Sequence, residues 1–278
     1  QVKLLKNIDQ AFTDGYKFVV CNAPTGSGKS FISKTIGNVS KQPTKEFREI
    51  VTNYLAYRRA HGGGYEEEAF GCTALTITKA LQDQYKELFN DVKVLKGKSN
   101  YQCEIDDRFT VELAPCLHLP KIKEECWAKN KCPYYEQRNK ALTSTFNTLN
   151  YNMFFSLPDH LKKRQYLICD EAAELEDQLV KEFSCTVNFE SLSKMDINMR
   201  PFYSRNNMQV VKWIRELVID LNDKIEELKD ITNNTNKVNK KYIIECKKNL
   251  IYLRNLHSKL TLIIDTWSES EYLYETDK

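Results

Sequence analysis

The stretch of sequence that decides the fold reads Phe18-Val19-Val20-Cys21-Asn22-Ala23-Pro24-Thr25-Gly26-Ser27-Gly28-Lys29-Ser30. This order of an apolar run, a glycine-bearing turn and a polar segment predicts a β-strand over Phe18 to Cys21, a phosphate-binding loop and a helix from Lys29. Gly26 and Gly28 let the backbone curl so that successive N–H groups point at phosphate oxygens. The N-terminus of the following helix adds a favourable dipole. The usual pattern begins with a glycine where this chain has Ala23, so the motif is a loose one.

The loop supplies the candidate nucleotide ligands. Lys29 would reach the β and γ phosphates, and the Ser30 hydroxyl would bind Mg²⁺. We therefore predict that the nucleotide is bound by Ala23, Pro24, Thr25, Gly26, Ser27, Gly28, Lys29 and Ser30.

An acidic pair farther along the chain completes the expected site. The apolar run Tyr166 to Cys169 ends in Asp170-Glu171. A nucleotide hydrolase needs one carboxylate at a strand end for the metal and a second to orient the attacking water. We predict that Asp170 serves Mg²⁺ and that Glu171 is the general base, with Lys29 as its catalytic partner. The loop and the acidic pair together predict an ATP or GTP site.

The order of elements along the chain predicts a parallel sheet that is interrupted once. Strand and helix alternate up to about residue 90, with a further apolar run at Thr73 to Thr78, and β-rich character returns at Leu142 to Leu149 and at Tyr166 to Cys169. After about Gln178 the sequence becomes helical. Two apolar stripes with helical spacing, Val210 to Leu228 and Tyr242 to Leu260, predict two antiparallel helices that pack on each other.

Four of the nine cysteines fall in the segment that interrupts the sheet, namely Cys103, Cys116, Cys126 and Cys132. This segment has little apolar periodicity, so thiolates around a metal centre are an expected source of stability. Zinc usually shows paired short spacings, which are absent here, whereas an iron–sulfur cluster tolerates irregular ones. Spacing alone leaves cluster, zinc and unliganded cysteines open. An odd number of scattered cysteines does not form a disulfide framework, so we expect a reducing compartment.

The composition is that of an ordinary soluble globular protein. The 278 residues include 41 Lys and Arg against 38 Asp and Glu, a net charge of +3 that does not identify a nucleic-acid binder. The longest apolar runs, such as Leu260 to Ile264, are far shorter than the roughly 20 residues that span a bilayer, and no signal-peptide pattern opens the chain. We expect neither membrane association nor secretion. The first residue, Gln1, is not Met, which suggests part of a longer product.

These motifs, taken in order, resemble the iron–sulfur DNA helicases of superfamily 2, the XPD and DinG family. Ala23 to Ser30 resembles the family's motif I, and Thr76 to Gln84 resembles motif Ia, where the family contacts the DNA backbone. Lys96 to Cys103 and Cys132 to Tyr135 are similar to the segments around its first and last cluster cysteines. Asp170-Glu171-Ala172-Ala173 resembles the DEAH box. The matches cover residues 1 to about 180.

The resemblance implies an α/β fold with a RecA-like P-loop motor domain, an inserted iron–sulfur module and a helical arch. The implied boundaries are 1–92 and 141–178 for the motor domain, 93–140 for the cluster module and 179–278 for an incomplete arch. The implied ligands are ATP, Mg²⁺ and a [4Fe–4S] cluster. Gln1 would contact the adenine of ATP, and the four module cysteines would hold the cluster. The implied DNA contacts are Thr78, Lys79, Gln82, Lys98, Tyr101 and Tyr134.

The activity implied by the resemblance is ATP-driven 5′ to 3′ movement on single-stranded DNA and unwinding of forked duplex, in DNA repair or replication. The implied location is the cytoplasm of a bacterial or phage-infected cell, or a eukaryotic nucleus. Ala173 replaces the DEAH histidine, and nothing after residue 178 resembles motifs III to VI. We therefore expect the N-terminal portion of a helicase, weak or inactive without a second motor domain. The alternatives are a DNA-binding ATPase module that does not unwind, and a zinc-stabilised NTPase acting on protein partners.

Overall fold

A computed structural model of the chain describes most of its length and divides it into two compact units. Unit 1 comprises residues 1–100 and 133–178, and unit 2 comprises residues 101–132 and 179–278. The described residues are 1–24, 26–61, 69–117, 120–129, 132–198, 206–233 and 240–267.

Unit 1 is built on a four-stranded sheet in which all strands are parallel and the order is β2-β3-β1-β4. β1 lies between two neighbours, so that Leu75 is in register with Leu149 on one side and with Cys169 on the other. All five residues of β1 are buried, as expected for a central strand of a parallel sheet covered by helices. The strands are β1 (Cys72–Thr76), β2 (Lys93–Val94), β3 (Phe146–Asn150) and β4 (Tyr166–Cys169).

Helices connect and cover these strands. Helix α2 lies so close to the sheet that Gly37 contacts the Phe146 ring. Thr78 caps the N-terminus of α4, and its side chain accepts a hydrogen bond from the Leu81 N–H at 3.3 Å. The helices that lie within unit 1 are α1 (Val2–Thr13), α2 (Lys29–Val39), α3 (Lys45–His61, with non-helical backbone at Asn53), α4 (Lys79–Leu88), α6 (Pro133–Leu142), α7 (Tyr151–Phe155) and α8 (Asp159–Lys162).

The structure confirms the parallel α/β architecture, the strand at Tyr166–Cys169 and the helix that starts at Lys29. The predicted strand over Phe18 to Cys21 is wrong. These four residues have no strand assignment, and the side chains of Phe18 and Val20 are 90% and 93% exposed. A strand exists only through hydrogen bonds to a neighbouring strand, and within the described residues this apolar run is not paired with the sheet.

A buried guanidinium group, that of Arg164, forms hydrogen bonds near the amino-terminal ends of β1 and β3. Arg164 donates hydrogen bonds to the hydroxyl of Thr73 at 2.9 Å and to the carbonyls of Leu142 at 2.9 Å, Ser144 at 3.0 Å and Cys72 at 3.2 Å. Burial lowers the pKa of Arg164 to about 10. The four acceptors satisfy most of the donors of this charged group, as a buried cation requires.

The segment that leaves unit 1, residues 101–132, is shorter than the predicted module of residues 93–140. β2 pairs with β3, and α6 packs on both strands, so the two ends of the predicted module belong to the sheet unit. The ends also contact each other within unit 1. Lys98 Nζ lies 5.6 Å from the centre of the Tyr134 ring, and Gln137 donates a 2.7 Å hydrogen bond to the Val94 carbonyl.

Unit 2 contains the two long helices that the apolar stripes predict. Its core includes Leu217 and Leu221 from α11 and Leu250 and Leu253 from α12, all of them fully buried. The remaining helices are α5 (Pro120–Lys129), α9 (Leu175–Phe183, which begins in unit 1), α10 (Phe189–Ser193), α11 (Asn207–Asn233) and α12 (Lys240–Asp265). Among the described residues of both units, no helix is long and apolar enough to cross a membrane.

Replacing Gly37 with alanine tests the contact between α2 and the sheet. The added methyl group would overlap the Phe146 ring, so we expect a net destabilisation of about 1–2 kcal/mol after allowing for the better helix propensity of alanine. Urea unfolding followed by circular dichroism should show a lower midpoint. Gly97→Ala is the matched control because its new methyl group would meet only Asn100 at 3.8 Å, an ordinary contact. Equal midpoints for the two variants would contradict the close packing.

Candidate nucleotide-binding site

The candidate site lies at the carboxyl edge of the sheet in unit 1. β1, β3 and β4 are parallel, so their carboxyl ends meet at one edge. Tyr151 and Asp170 directly follow β3 and β4, and Thr78 lies two residues after β1. In open parallel sheets, ligands bind in the crevice outside these strand ends. The fold therefore places the acidic pair at the carboxyl end of a strand, as the sequence predicts.

The predicted phosphate loop leads directly into α2 and contains two glycines with left-handed backbone. Gly26 and Gly28 both have positive φ angles, 79° and 85°, and Gly28 is the residue immediately before α2. A side chain is strained at such angles, which explains the two glycines. The Gln1 side-chain amide donates to the Ser27 carbonyl at 3.1 Å, so Gln1 lies against the loop. Thr25 lies outside the described residues.

One ion pair joins the loop to the acidic pair. Lys29 Nζ lies 3.8 Å from Glu171 Oε1 and donates to the Ala23 carbonyl at 3.4 Å. Both charged side chains are partly exposed, so the pair contributes little to stability. Its importance is geometric, because it shows that two motifs separated by more than 130 residues of sequence face the same point. Glu171 itself adopts a left-handed backbone, with φ 53° and ψ 52°.

The Asp170 carboxyl is half-buried behind this ion pair. Burial raises its pKa, the neighbouring Glu171 charge raises it further, and hydrogen bonds from the Glu171 N–H and the Tyr85 hydroxyl together with the Lys29 charge act in the opposite direction. The Tyr85 hydroxyl lies 3.4 Å from Asp170 Oδ2. Burial, followed by the Asp170 charge, raises the pKa of Tyr85 to about 12, so this phenol stays protonated.

A second tyrosine contacts the main chain of the same residue. The Tyr151 hydroxyl donates to the Asp170 carbonyl at 3.1 Å, and burial raises the pKa of this phenol. Sequence reasoning missed both Tyr85 and Tyr151. Each is an ordinary apolar-face residue in the sequence, and only the packing of α4 and α7 on the sheet brings them to Asp170.

The four module cysteines all belong to unit 2. The Cys116 thiol donates a hydrogen bond to Cys126, and the pKa of Cys116 is raised to about 11 by burial and then by the neighbouring thiols of Cys126, Cys103 and Cys132. Within the described part of the chain, no group of three or more His, Cys, Asp or Glu side chains is positioned to hold a metal ion. The ligand role of the four thiols therefore stays a prediction.

A buried lysine from α12 lies beside these cysteines. Lys247 is only 3% exposed, donates to the Leu113 carbonyl at 3.2 Å and lies 4.4 Å from the centre of the Phe109 ring. Burial lowers the pKa of Lys247, while the charges of Asp106 and Cys116 act in the opposite direction. A buried ammonium of this kind favours negative charge nearby, and thiolates would supply it.

The predicted DNA contacts on α4 separate into exposed and buried residues. Lys79 reaches Asn100 Oδ1 at 3.0 Å on the surface, next to Thr78 at the helix start. Gln82 is fully buried, and its amide donates to the carbonyls of Leu95 at 3.2 Å and Thr148 at 3.3 Å. In this conformation Gln82 anchors α4 to the sheet and is not accessible to a nucleic acid.

The other three predicted DNA contacts lie around the inserted segment. Tyr134 is 4% exposed and packs beneath Lys98 in unit 1, so its ring is covered. Tyr101 belongs to unit 2, where its carbonyl accepts a 2.8 Å hydrogen bond from the Val111 N–H. Lys98 and Tyr101 keep partly exposed side chains.

Comparisons with known proteins give one weak structural likeness. No family model matches the chain, and no curated protein matches it. A solved structure described as a truncated XPD is similar with a TM-score of 0.46 and 17% sequence identity, over 95% of this chain and 82% of that chain. A TM-score of this size is too low to assign a fold or an activity.

Replacing Asp170 with asparagine tests the electrostatics of the acidic pair. Because the folded-state pKa of Asp170 is raised, its charge destabilises the fold at pH values above the pKa, and the penalty disappears below the ordinary carboxyl pKa of about 3.9. We expect nucleotide-free Asp170→Asn to melt at a higher temperature than the native protein at pH 7. The gain should shrink as the pH falls through the raised pKa of Asp170 toward the ordinary carboxyl value of about 3.9. A lower melting temperature at pH 7 would contradict this assignment.

Proposed function

We propose that this chain binds Mg²⁺ and ATP at the carboxyl edge of its parallel sheet and is the RecA-like motor unit of an ATP-dependent DNA helicase. The observation that carries the proposal is the convergence of Lys29 of the phosphate loop with Glu171 of the acidic pair at 3.8 Å. Two glycines in left-handed conformation precede Lys29, and the loop opens directly into α2, which is the arrangement that binds phosphate through backbone N–H groups.

Each residue of the site has a distinct task in this proposal. The Lys29 ammonium, oriented by the Ala23 carbonyl, neutralises the β and γ phosphate oxygens and exchanges its contact with Glu171 for one with phosphate. Glu171 is then available to take a proton from the attacking water. Ser30 and Asp170 would hold the metal, since both lie within reach of the same Tyr85 hydroxyl. Bound Mg²⁺ would neutralise charge that develops on the transferred phosphoryl group.

The helicase part of the proposal rests on the sequence resemblance to the XPD and DinG family. In that interpretation the chain moves 5′ to 3′ on single-stranded DNA and unwinds forked duplex. The exposed start of α4, with Thr78 and Lys79, suits contact with a DNA phosphate because a helix N-terminus and a lysine both favour anions. Lys98 and Tyr101 are the other candidates that keep partly exposed side chains.

We further propose that Cys103, Cys116, Cys126 and Cys132 ligate a [4Fe–4S] cluster. The donor chemistry fits, because four thiols influence one another electrostatically and a buried ammonium lies beside them. A single zinc ion would need sulfurs about 3.8 Å apart, from Zn–S bonds of about 2.3 Å, and no such group is formed among the described residues. A cluster, which binds each sulfur to a different iron, accommodates wider spacing. Once bound, it would supply folding free energy to unit 2.

Binding of a fluorescent ATP analogue to this chain tests the nucleotide site. We expect Lys29→Ala to weaken binding in the presence of Mg²⁺ by roughly tenfold to a hundredfold, because charge-assisted hydrogen bonds to phosphate are lost. Glu171→Gln should bind at least as tightly as the native protein, since it removes a negative charge next to the phosphates. Fluorescence anisotropy measures both.

Lys34→Ala is the matched control for Lys29→Ala. Lys34 lies on the same helix, but its ammonium pairs with Asp91 at 2.5 Å. Its loss should leave nucleotide affinity unchanged. Equal affinities for Lys29→Ala and the native protein would refute the proposed site.

Iron and acid-labile sulfide analysis of anaerobically purified protein tests the cluster. The native protein should be brown and contain iron and sulfide in equal amounts, and Cys116→Ser should lose most of both because one of the four ligands is removed. Cys185→Ser is the matched control, since Cys185 packs against the helical core of unit 2 and is not among the four. A colourless protein that contains stoichiometric zinc would refute the cluster and favour the zinc-stabilised alternative.

A further inference from the structure

Tyr85 is a core residue whose hydroxyl group lies at the candidate metal site. The residue lies on α4, is 2% exposed, and packs in the same core cluster as Cys72, Ala74 and Phe146. Its ring centre lies 6.1 Å from that of Phe146 and 6.3 Å from that of Phe89. The ring is thereby fixed on both sides, so the position of the hydroxyl is determined by packing.

The hydroxyl has polar neighbours on two elements. It lies 3.4 Å from Asp170 Oδ2, and the hydroxyls of Ser30 and Ser33 on α2 are close enough to lower its pKa. A protonated phenol has one donor and two acceptor positions, so it can donate to the carboxylate while it accepts from serine. The two side chains proposed to hold the metal, Ser30 and Asp170, thus share one neighbour.

The helix that carries Tyr85 is firmly attached to the sheet, whereas Asp170 follows an edge strand. The buried Gln82 amide bonds the carbonyls of Leu95 and Thr148, which fixes α4 one turn before Tyr85. Among the described residues β4 pairs only with β1, so the carboxylate that follows it has sheet support on one side. The tyrosine is the better-fixed partner of the two.

We propose that Tyr85 is a positioning residue that orients the Asp170 carboxylate toward Ser30 and thereby connects helix α4 to the metal-binding side of the nucleotide site. This inference rests on the proposed function and deepens it. Tyr85 links the acidic pair to α4 through its contact with Asp170. The same helix begins at Thr78 and Lys79, the exposed candidates for DNA contact.

The test compares Tyr85→Phe with Tyr151→Phe. Both variants remove one phenol oxygen near Asp170, but Tyr85 faces the carboxylate and Tyr151 bonds the backbone carbonyl. The affinity for a fluorescent ATP analogue is measured for the native protein and both variants in excess Mg²⁺ and in EDTA. The ratio of the two affinities isolates the contribution of the metal from that of the phosphate loop.

We expect Tyr85→Phe to reduce the Mg²⁺-dependent gain in affinity by roughly tenfold, the loss typical for a hydrogen bond to a charged group, and to leave the affinity in EDTA unchanged. Tyr151→Phe should keep the native ratio. A residue that only filled space would change both affinities together or neither, since phenylalanine keeps the ring. The affinity in EDTA therefore also reports that the variant is folded.

The outcomes separate the inference from the proposal beneath it. A native protein that gains affinity with Mg²⁺, together with a Tyr85→Phe variant that gains equally, would overturn the inference and leave the nucleotide site intact. A native protein that binds no nucleotide under either condition would overturn the proposed function and the inference with it. Equal losses of Mg²⁺ dependence in both tyrosine variants would also overturn the inference, because the effect would then not arise at the carboxylate.

Discussion

The parallel pairing of β1 with β3 on one side and β4 on the other is the constraint on which the rest of unit 1 depends. It brings three strand ends to one edge, and it continues for one residue beyond β4, where the Asp170 N–H donates to the Leu75 carbonyl at 2.9 Å. The place of the acidic pair is therefore set by backbone hydrogen bonds. Arg164 secures the opposite ends of the same strands, so the sheet is fixed at both edges.

The site is held together at an electrostatic cost. Two carboxylates follow each other at a strand end, one half-buried and one in a left-handed backbone conformation that non-glycine residues seldom adopt. The Lys29 ammonium faces this pair, at ion-pair distance from Glu171. An arrangement that raises a carboxyl pKa and strains a backbone is unfavourable for folding alone, and such features concentrate at functional sites.

Local patterns in the sequence predicted much of this arrangement, and distant contacts account for what they missed. The strand at Tyr166–Cys169 and the helix start at Lys29 follow from neighbouring residues, since an apolar run and a glycine-rich turn determine them directly. Phe18 to Cys21 has the same apolar character, but strand formation also needs a partner. The burial of Gln82 and the contact of the Tyr85 hydroxyl with Asp170 depend on how α4 packs on the sheet. The spacing of apolar residues along a helix does not predict such contacts with a sheet.

Lys98 and Tyr134, which flank segment 101–132, contact each other in unit 1. Together with the bond from Gln137 to Val94, this contact brings the departure and return of the chain to one place in the sheet unit. The entropy of closing a loop grows only logarithmically with its length, by about 0.6 kcal/mol for each doubling. Loop closure alone therefore lets residues be added to or removed from segment 101–132 at little cost to the stability of the sheet.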